Sequence, residues 1–168
     1  MFPTRKIITS GGDVYRDQYS LDFDGTDDFL SVANPCNFSL GTTEEMTVSA
    51  WFKTVESGNQ RILSGNKYDI VLGVQSGGTV LGQLNQGANN PSISTTAQYN
   101  DGGWHQVTYI RHSTLGLRLA VDGNFITNVT DSTWNSAITV SELRIGKRNA
   151  TVGNDATGEH VFDGNISE

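Results

Sequence analysis

Proline occurs three times in 168 residues, cysteine once, and charged residues make up only 17%. Each scarcity closes off a class of protein. A lone Cys36 cannot form an internal disulfide, so a disulfide scaffold is excluded, and with no partner at ligand spacing it builds no zinc site. No stretch approaches the roughly 20 apolar residues of a membrane-spanning helix. The opening Met1-Phe-Pro-Thr-Arg-Lys-Ile-Ile lacks the apolar core of a signal peptide, so neither membrane insertion nor secretion is expected. Basic residues are scarce as well: 11 Lys and Arg stand against 18 Asp and Glu, for a net charge of −7 and a pI near 4.8. Nucleic-acid affinity rests largely on cations that neutralise phosphates, so a nucleic-acid partner is not expected either.

What is abundant belongs to turns and strands. The chain has 19 glycines, 14 asparagines, 33 serines and threonines, and twice as many Asp as Glu, 12 to 6. Asp and Asn favour turns whereas Glu favours helices, which excludes a helical bundle. Period-two alternation predicts twelve short strands: Tyr19–Asp24, Asp27–Val32, Met46–Thr54, Arg61–Ser64, Tyr68–Val74, Thr79–Asn85, Ser92–Thr96, Trp104–His112, Leu117–Asp122, Phe125–Thr130, Glu142–Lys147 and Val161–Ile166. With no helical pattern between them, these runs specify an all-β fold, an antiparallel two-sheet β-sandwich, and exclude a parallel doubly wound sheet. Asp122-Gly123 is a hairpin turn by its chemistry. Asp24-Gly25-Thr26 and Gly77-Gly78 are expected to act likewise. Residues 1–18 form a polar leader that pairs at an edge or docks elsewhere, and 19–168 form the sandwich, with Val48, Ala50, Leu117, Leu119, Val121, Leu143 and Ile145 facing between the sheets.

Catalytic signatures are sparse. A sandwich glycosidase needs two carboxylates about 5–10 Å apart, ordinarily from alternating acids on one strand. Glu44 and Glu45 are adjacent, and Glu142, Glu159 and Glu168 lie singly in other segments. His105, His112 and His160 have no metal-binding spacing, and there is neither a nucleophile elbow nor a phosphate loop. Oxygen ligands remain: Asp24, Asp27 and Asp28 crowd one turn, Asn154 and Asp155 another, and Asp163-Gly164-Asn165 a third. Calcium takes six to eight such ligands, although turn formation alone would also place these residues there. Trp51 is the most informative aromatic. Alternation puts it beside Thr47, Ser49 and Lys53, opposite Met46, Val48, Ala50 and Phe52. An aromatic plane on a polar sheet face suits a sugar ring, whereas burial under a crossing loop would make the same residue structural.

Five segments, in order, carry a family resemblance: Ser20-Leu-Asp-Phe-Asp-Gly-Thr-Asp-Asp-Phe-Leu-Ser-Val32, Met46-Thr-Val-Ser-Ala-Trp-Phe-Lys53, Asp101-Gly-Gly-Trp-His-Gln-Val107, Leu117-Arg-Leu-Ala-Val-Asp-Gly123 and Glu142-Leu-Arg-Ile-Gly146. Together they resemble laminin-G-like, concanavalin-A-like lectin domains, which implies a jelly roll. Phe162-Asp-Gly-Asn-Ile166 resembles the start of the family's ending, so a closing strand is expected to be missing. The resemblance further implies a structural calcium at Asp27 or Asp28, with a contribution from Asp163 to Asn165. The expected function is a non-enzymatic recognition module for a glycan or glycoprotein surface, bound at Trp51 and Lys53, with the Asn85–Asn90 loop, notably Asn85 and Asn89, as a second ligand region. By analogy with bacteriophage virion proteins, the module would be part of a particle. The alternative is a structural or decoration protein that packs against identical or virion neighbours.

Overall fold

The computed structural model describes residues 19–33, 39–65, 70–84, 91–129, 137–148 and 160–168. Its elements are β1 (Leu21–Asp24), β2 (Leu30–Ala33), β3 (Ser39–Leu40), β4 (Met46–Lys53), β5 (Gln60–Ser64), β6 (Ile70–Val74), β7 (Thr79–Leu84), β8 (Ser92–Gln98), β9 (His105–His112), β10 (Gly116–Val121), β11 (Asn124–Val129), β12 (Ile138–Thr139), β13 (Glu142–Ile145) and β14 (Asp163–Ser167). Among the described residues there is no helix, and so none long and apolar enough to cross a membrane. The leader, residues 1–18, lies outside the described residues.

Two six-stranded antiparallel sheets form a jelly-roll sandwich, the first ordered β1-β14-β4-β9-β10-β11 and the second β2-β13-β5-β6-β7-β8, with a small β12-β3 ribbon beside them. The β12-β3 pair was not expected, because two residues are too few to show a period. Between the sheets, Phe52, Val107, Tyr109, Leu117, Leu119 and Val121 of the first meet Ile62, Ile70, Leu72, Val74, Val80, Leu84 and Ile93 of the second. Val48, Ala50, Leu143 and Ile145 pack against this core at its margin, on the face that alternation assigned them.

Turn chemistry explains two of the joints. Asp122 and Gly123 have φ of 52° and 77°, the doubly positive signature of the two-residue turn that joins β10 to β11. Gly77 and Gly78 likewise join β6 to β7. The third expectation is corrected. Asp24-Gly25-Thr26 does turn, but β1 pairs with β14 in the first sheet while β2 pairs with β13 in the second. The segment is a crossing between sheets rather than a hairpin. The expected strand Asp27–Val32 accordingly starts only at Leu30, and Asp27 and Asp28 stay in the crossing. Gly25 donates its N–H to the Phe162 carbonyl at 3.1 Å, which ties this crossing to the last strand.

Candidate functional site

β4 sits third in the first sheet and alternates as its sequence demands. Met46 and Phe52 are buried, whereas Thr47, Ser49 and Trp51 are exposed and Lys53 is half-buried. Register supplies the surroundings, because residues paired across antiparallel strands share a face. Ser167 of β14 and Gln106 of β9 flank Trp51, Asn165 flanks Lys53, Thr108 flanks Ser49, and Ile110 flanks Thr47. One strand further, Arg118 continues the Thr47 row. Its guanidinium lies 4.3 Å from the centroid of the exposed Phe125 ring. The outer face therefore offers an indole with 39% of its surface exposed, a second aromatic with a cation on it, and hydroxyl and carboxamide groups between them. Thr47 to Lys53 spans about 20 Å at the rise of a strand, enough length for several sugar rings. A covered Trp51 is not what this face presents. Gln106, Thr108, Arg118 and Phe125 escaped the sequence reading: alternation along β9, β10 and β11 gives each a face, but only the strand register brings them onto the face of Trp51. Asn85 and Asn89 lie outside the described residues.

At the crossing between the sheets, Asp24, Asp27 and Asp28 bring one carboxylate oxygen each within 4.8 Å of one another, all on the surface. Local bonds shape the turn: Asp24 Oδ1 accepts from the Thr26 N–H at 2.8 Å, and Asp28 Oδ2 accepts from the Asp24 N–H at 3.2 Å. Asp163, paired with Asp24 across β1 and β14, stands against Gly25, where a Cβ would lie 2.9 Å from its Oδ2. The first and last strands thus meet, and Asp163 is beside the acidic crossing. Asn165 is turned elsewhere, since its Nδ2 donates to Asp22 Oδ1 at 3.0 Å. Asn154 and Asp155 lie outside the described residues. An all-oxygen set of this kind fits calcium, a hard cation.

A third cluster was not foreseen. His105 holds two carboxylates, Asp122 at 2.9 Å from Nδ1 and Asp101 at 3.1 Å from Nε2. The Tyr99 ring meets it edge-on, with centroids 5.1 Å apart. Burial alone would lower the imidazole pKa, but the hydrogen bonds and charges of Asp122 and Asp101 outweigh it and the net shift is upward. A neutral ring donates to only one of the two acids, whereas the imidazolium donates to both. Asp101 is shifted down, first by the Gly103 N–H it accepts and then by His105. The raised histidine stabilises the fold fully below its unfolded pKa of about 6.5, and that contribution is lost as pH rises through the folded value. The lowered Asp101 acts oppositely and loses its contribution as pH falls through its own folded pKa. The clamp is therefore strongest in mildly acidic solution. The melting-temperature gap between wild type and His105→Gln should shrink as pH rises from about 6 to 8, and a gap independent of pH would refute the clamp.

These features define a class, an antiparallel β-sandwich of lectin type with one polar, aromatic-bearing sheet face. Residues 24–168 match the laminin G-type family model described as the concanavalin A-like lectin/glucanases superfamily, and the chain belongs to that family. Among curated proteins none matches significantly. Domains LG4-5 of the mouse laminin α1 chain superpose with a TM-score of 0.67 at 22% identity, over 89% of this chain and 39% of that one. The CBM40 of Ruminococcus gnavus IT-sialidase, bound to α2,3-sialyllactose, gives 0.59 at 18% identity, over 74% of this chain and 72% of that one. The native heptameric SAP-like pentraxin of Limulus polyphemus gives 0.63 at 19%, over 87% and 71%. At such identities the likeness is one of fold.

Proposed function

We propose that the protein is a non-enzymatic carbohydrate-recognition module whose ligand lies on the outer face of the first sheet, across Trp51. The observation that carries this reading is the half-exposed indole between Gln106 and Ser167, in a row of hydrogen-bonding side chains. Sugars combine an apolar ring face with a rim of hydroxyls, and this surface pairs an aromatic plane with donors and acceptors. Lys53 and Arg118 would favour a glycan that bears an acidic group. The same architecture in the CBM40 relative holds sialyllactose, which lends the reading support. A glycan array with neutral and acidic saccharides tests it: saturable binding to a defined sugar is expected, and no binding to any of them would sink it.

In this reading Asp24, Asp27 and Asp28 would hold a structural calcium, with Asp163 beside them. The ion would neutralise three adjacent negative charges and pin the crossing between the sheets. Binding only to the folded state should add about 1.4 kcal/mol at ten times Kd. Calcium should therefore raise the melting temperature and a chelator lower it, with Asp27→Asn blunting both. An unchanged melting temperature at saturating calcium would remove the ion from the account.

A second reading, assembly with neighbouring subunits, has its own observation. β1 and β2 are the edge strands of their sheets, and Leu21, Leu30 and Val32 are all exposed on them. Apolar edges that no described strand covers invite pairing with another chain, as a decoration or virion component would use. Sedimentation separates the two: a fixed oligomer without glycan binding favours assembly.

A further inference from the structure

The outer face of the first sheet carries a second exposed aromatic well away from Trp51. Pairing runs from Ser49 of β4 to Thr108 of β9, from Thr108 to Ala120 of β10, and from Ala120 to Phe125 of β11, so these residues form one row across the sheet. Trp51 stands two residues along β4 from that row and, like Ser49, points outward. Arg118 fixes the side on which Phe125 stands. Its neighbours Leu117 and Leu119 are core residues, so Arg118 points outward, and its guanidinium lies over the Phe125 ring at 4.3 Å. From Trp51 to Phe125 is therefore three strands across and two residues along, about 16 Å at ordinary sheet spacings.

The surface between the two rings is polar. Phe125 is 55% exposed and Trp51 39%, whereas Ala120, the apolar residue next to Phe125 in the row, is buried. Gln106, Ser49 and Thr108 fill the interval with amide and hydroxyl groups. Among the described residues of β4, β9, β10 and β11 no leucine, isoleucine or valine is exposed. A patch for a protein partner is ordinarily contiguous, but here the apolar surface is two islands. A single sugar ring, little larger than an aromatic one, cannot touch both.

We propose that Trp51 and Phe125 are two stacking platforms for one linear oligosaccharide of several rings, laid across β4, β9, β10 and β11. The module then recognises a run of chain rather than a terminal mono- or disaccharide. This inference rests on the glycan reading and adds to it the class of ligand and a second stacking residue. One ring of the chain lies on the indole, and Gln106, Ser49 and Thr108 meet the hydroxyls of the rings that follow. A distant ring lies on the face of Phe125 opposite Arg118, whose guanidinium backs the aromatic plane from the other side.

The test is calorimetric titration of the whole chain with size ladders, from the monosaccharide to the octasaccharide, of chitin, cellulose, hyaluronan and polygalacturonate fragments. Wild-type affinity should climb with length in at least one ladder and level off once the chain spans both rings. The climb above the disaccharide should be about five- to a hundredfold, as for one added stacking contact. Phe125→Ala should return the longest fragments to the affinity of the short ones, Phe125→Tyr should keep the climb, and Trp51→Ala should weaken fragments of every length. A gain that is merely statistical rises in proportion to the number of repeats without levelling off. That shape, length-independent binding, or a climb that survives in a folded Phe125→Ala would overturn the two-platform site while leaving the glycan reading intact. If the alanine variant does not fold, the shape of the wild-type curve decides. Binding of no ladder also overturns it, and the glycan reading then survives only if a short or branched saccharide binds.

Discussion

Phe52→Ala is expected to destabilise the protein by about 3–5 kcal/mol, the usual cost of removing a fully buried phenylalanine and leaving its cavity. Phe52 has no exposed surface and belongs to the core cluster. It lies at the junction of three strands, paired with Ile166 of β14 on one side and His105 of β9 on the other. Its ring centroid lies 5.7 Å from that of His105, so the cavity would open beneath the clamp with Asp101 and Asp122 as well as in the core. For a domain of this size the loss corresponds to a melting temperature lower by about 6–20 °C. Denaturant unfolding of wild type, Phe52→Leu and Phe52→Ala should give a graded series, with leucine between. A loss below about 1 kcal/mol for the alanine variant would mean that the inner face of β4 is not core. The folded fraction should bind ligand as wild type does, because the outer face is unaltered.

What the sequence made legible follows from the range over which each signal acts. The two faces of β4 could be assigned from eight consecutive residues, because the period of a strand is local. The turn at Asp122-Gly123 was legible for the same reason, being two residues with one dominant conformation. Asp24-Gly25-Thr26 carries similar turn chemistry, yet local conformation says nothing about which sheet the next strand joins. That choice is made by β14 and β13, which lie more than a hundred residues away. The clamp at His105 draws on a loop, a strand and a hairpin, so no spacing rule could have assembled it. Of the proposed ligand face, Trp51 and Lys53 were legible, while Gln106 and Thr108 needed the β4–β9 register.

Trp51→Ala should produce the converse of Phe52→Ala, although the two residues are adjacent in the chain. Trp51 stands on the outer face with 39% of its surface exposed. Truncation therefore opens no closed cavity, and the melting temperature should move by only a few degrees. Affinity should fall much further. If a sugar ring stacks on indole about as strongly as other rings stack on aromatic side chains, the contact is worth about 1–3 kcal/mol. That is roughly five- to over a hundredfold in Kd. Trp51→Phe should recover part of the loss, since it keeps a smaller plane, whereas Ser49→Ala and Thr108→Ala should each cost less, as single hydrogen bonds exchanged with water do. Ligand should also protect the indole from a collisional quencher, measured as the difference between wild type and Trp51→Phe because Trp104 is exposed too. An alanine variant that binds its glycan with unchanged Kd would dismiss this face as the ligand platform. One that melts as early as Phe52→Ala would instead make Trp51 a packing residue.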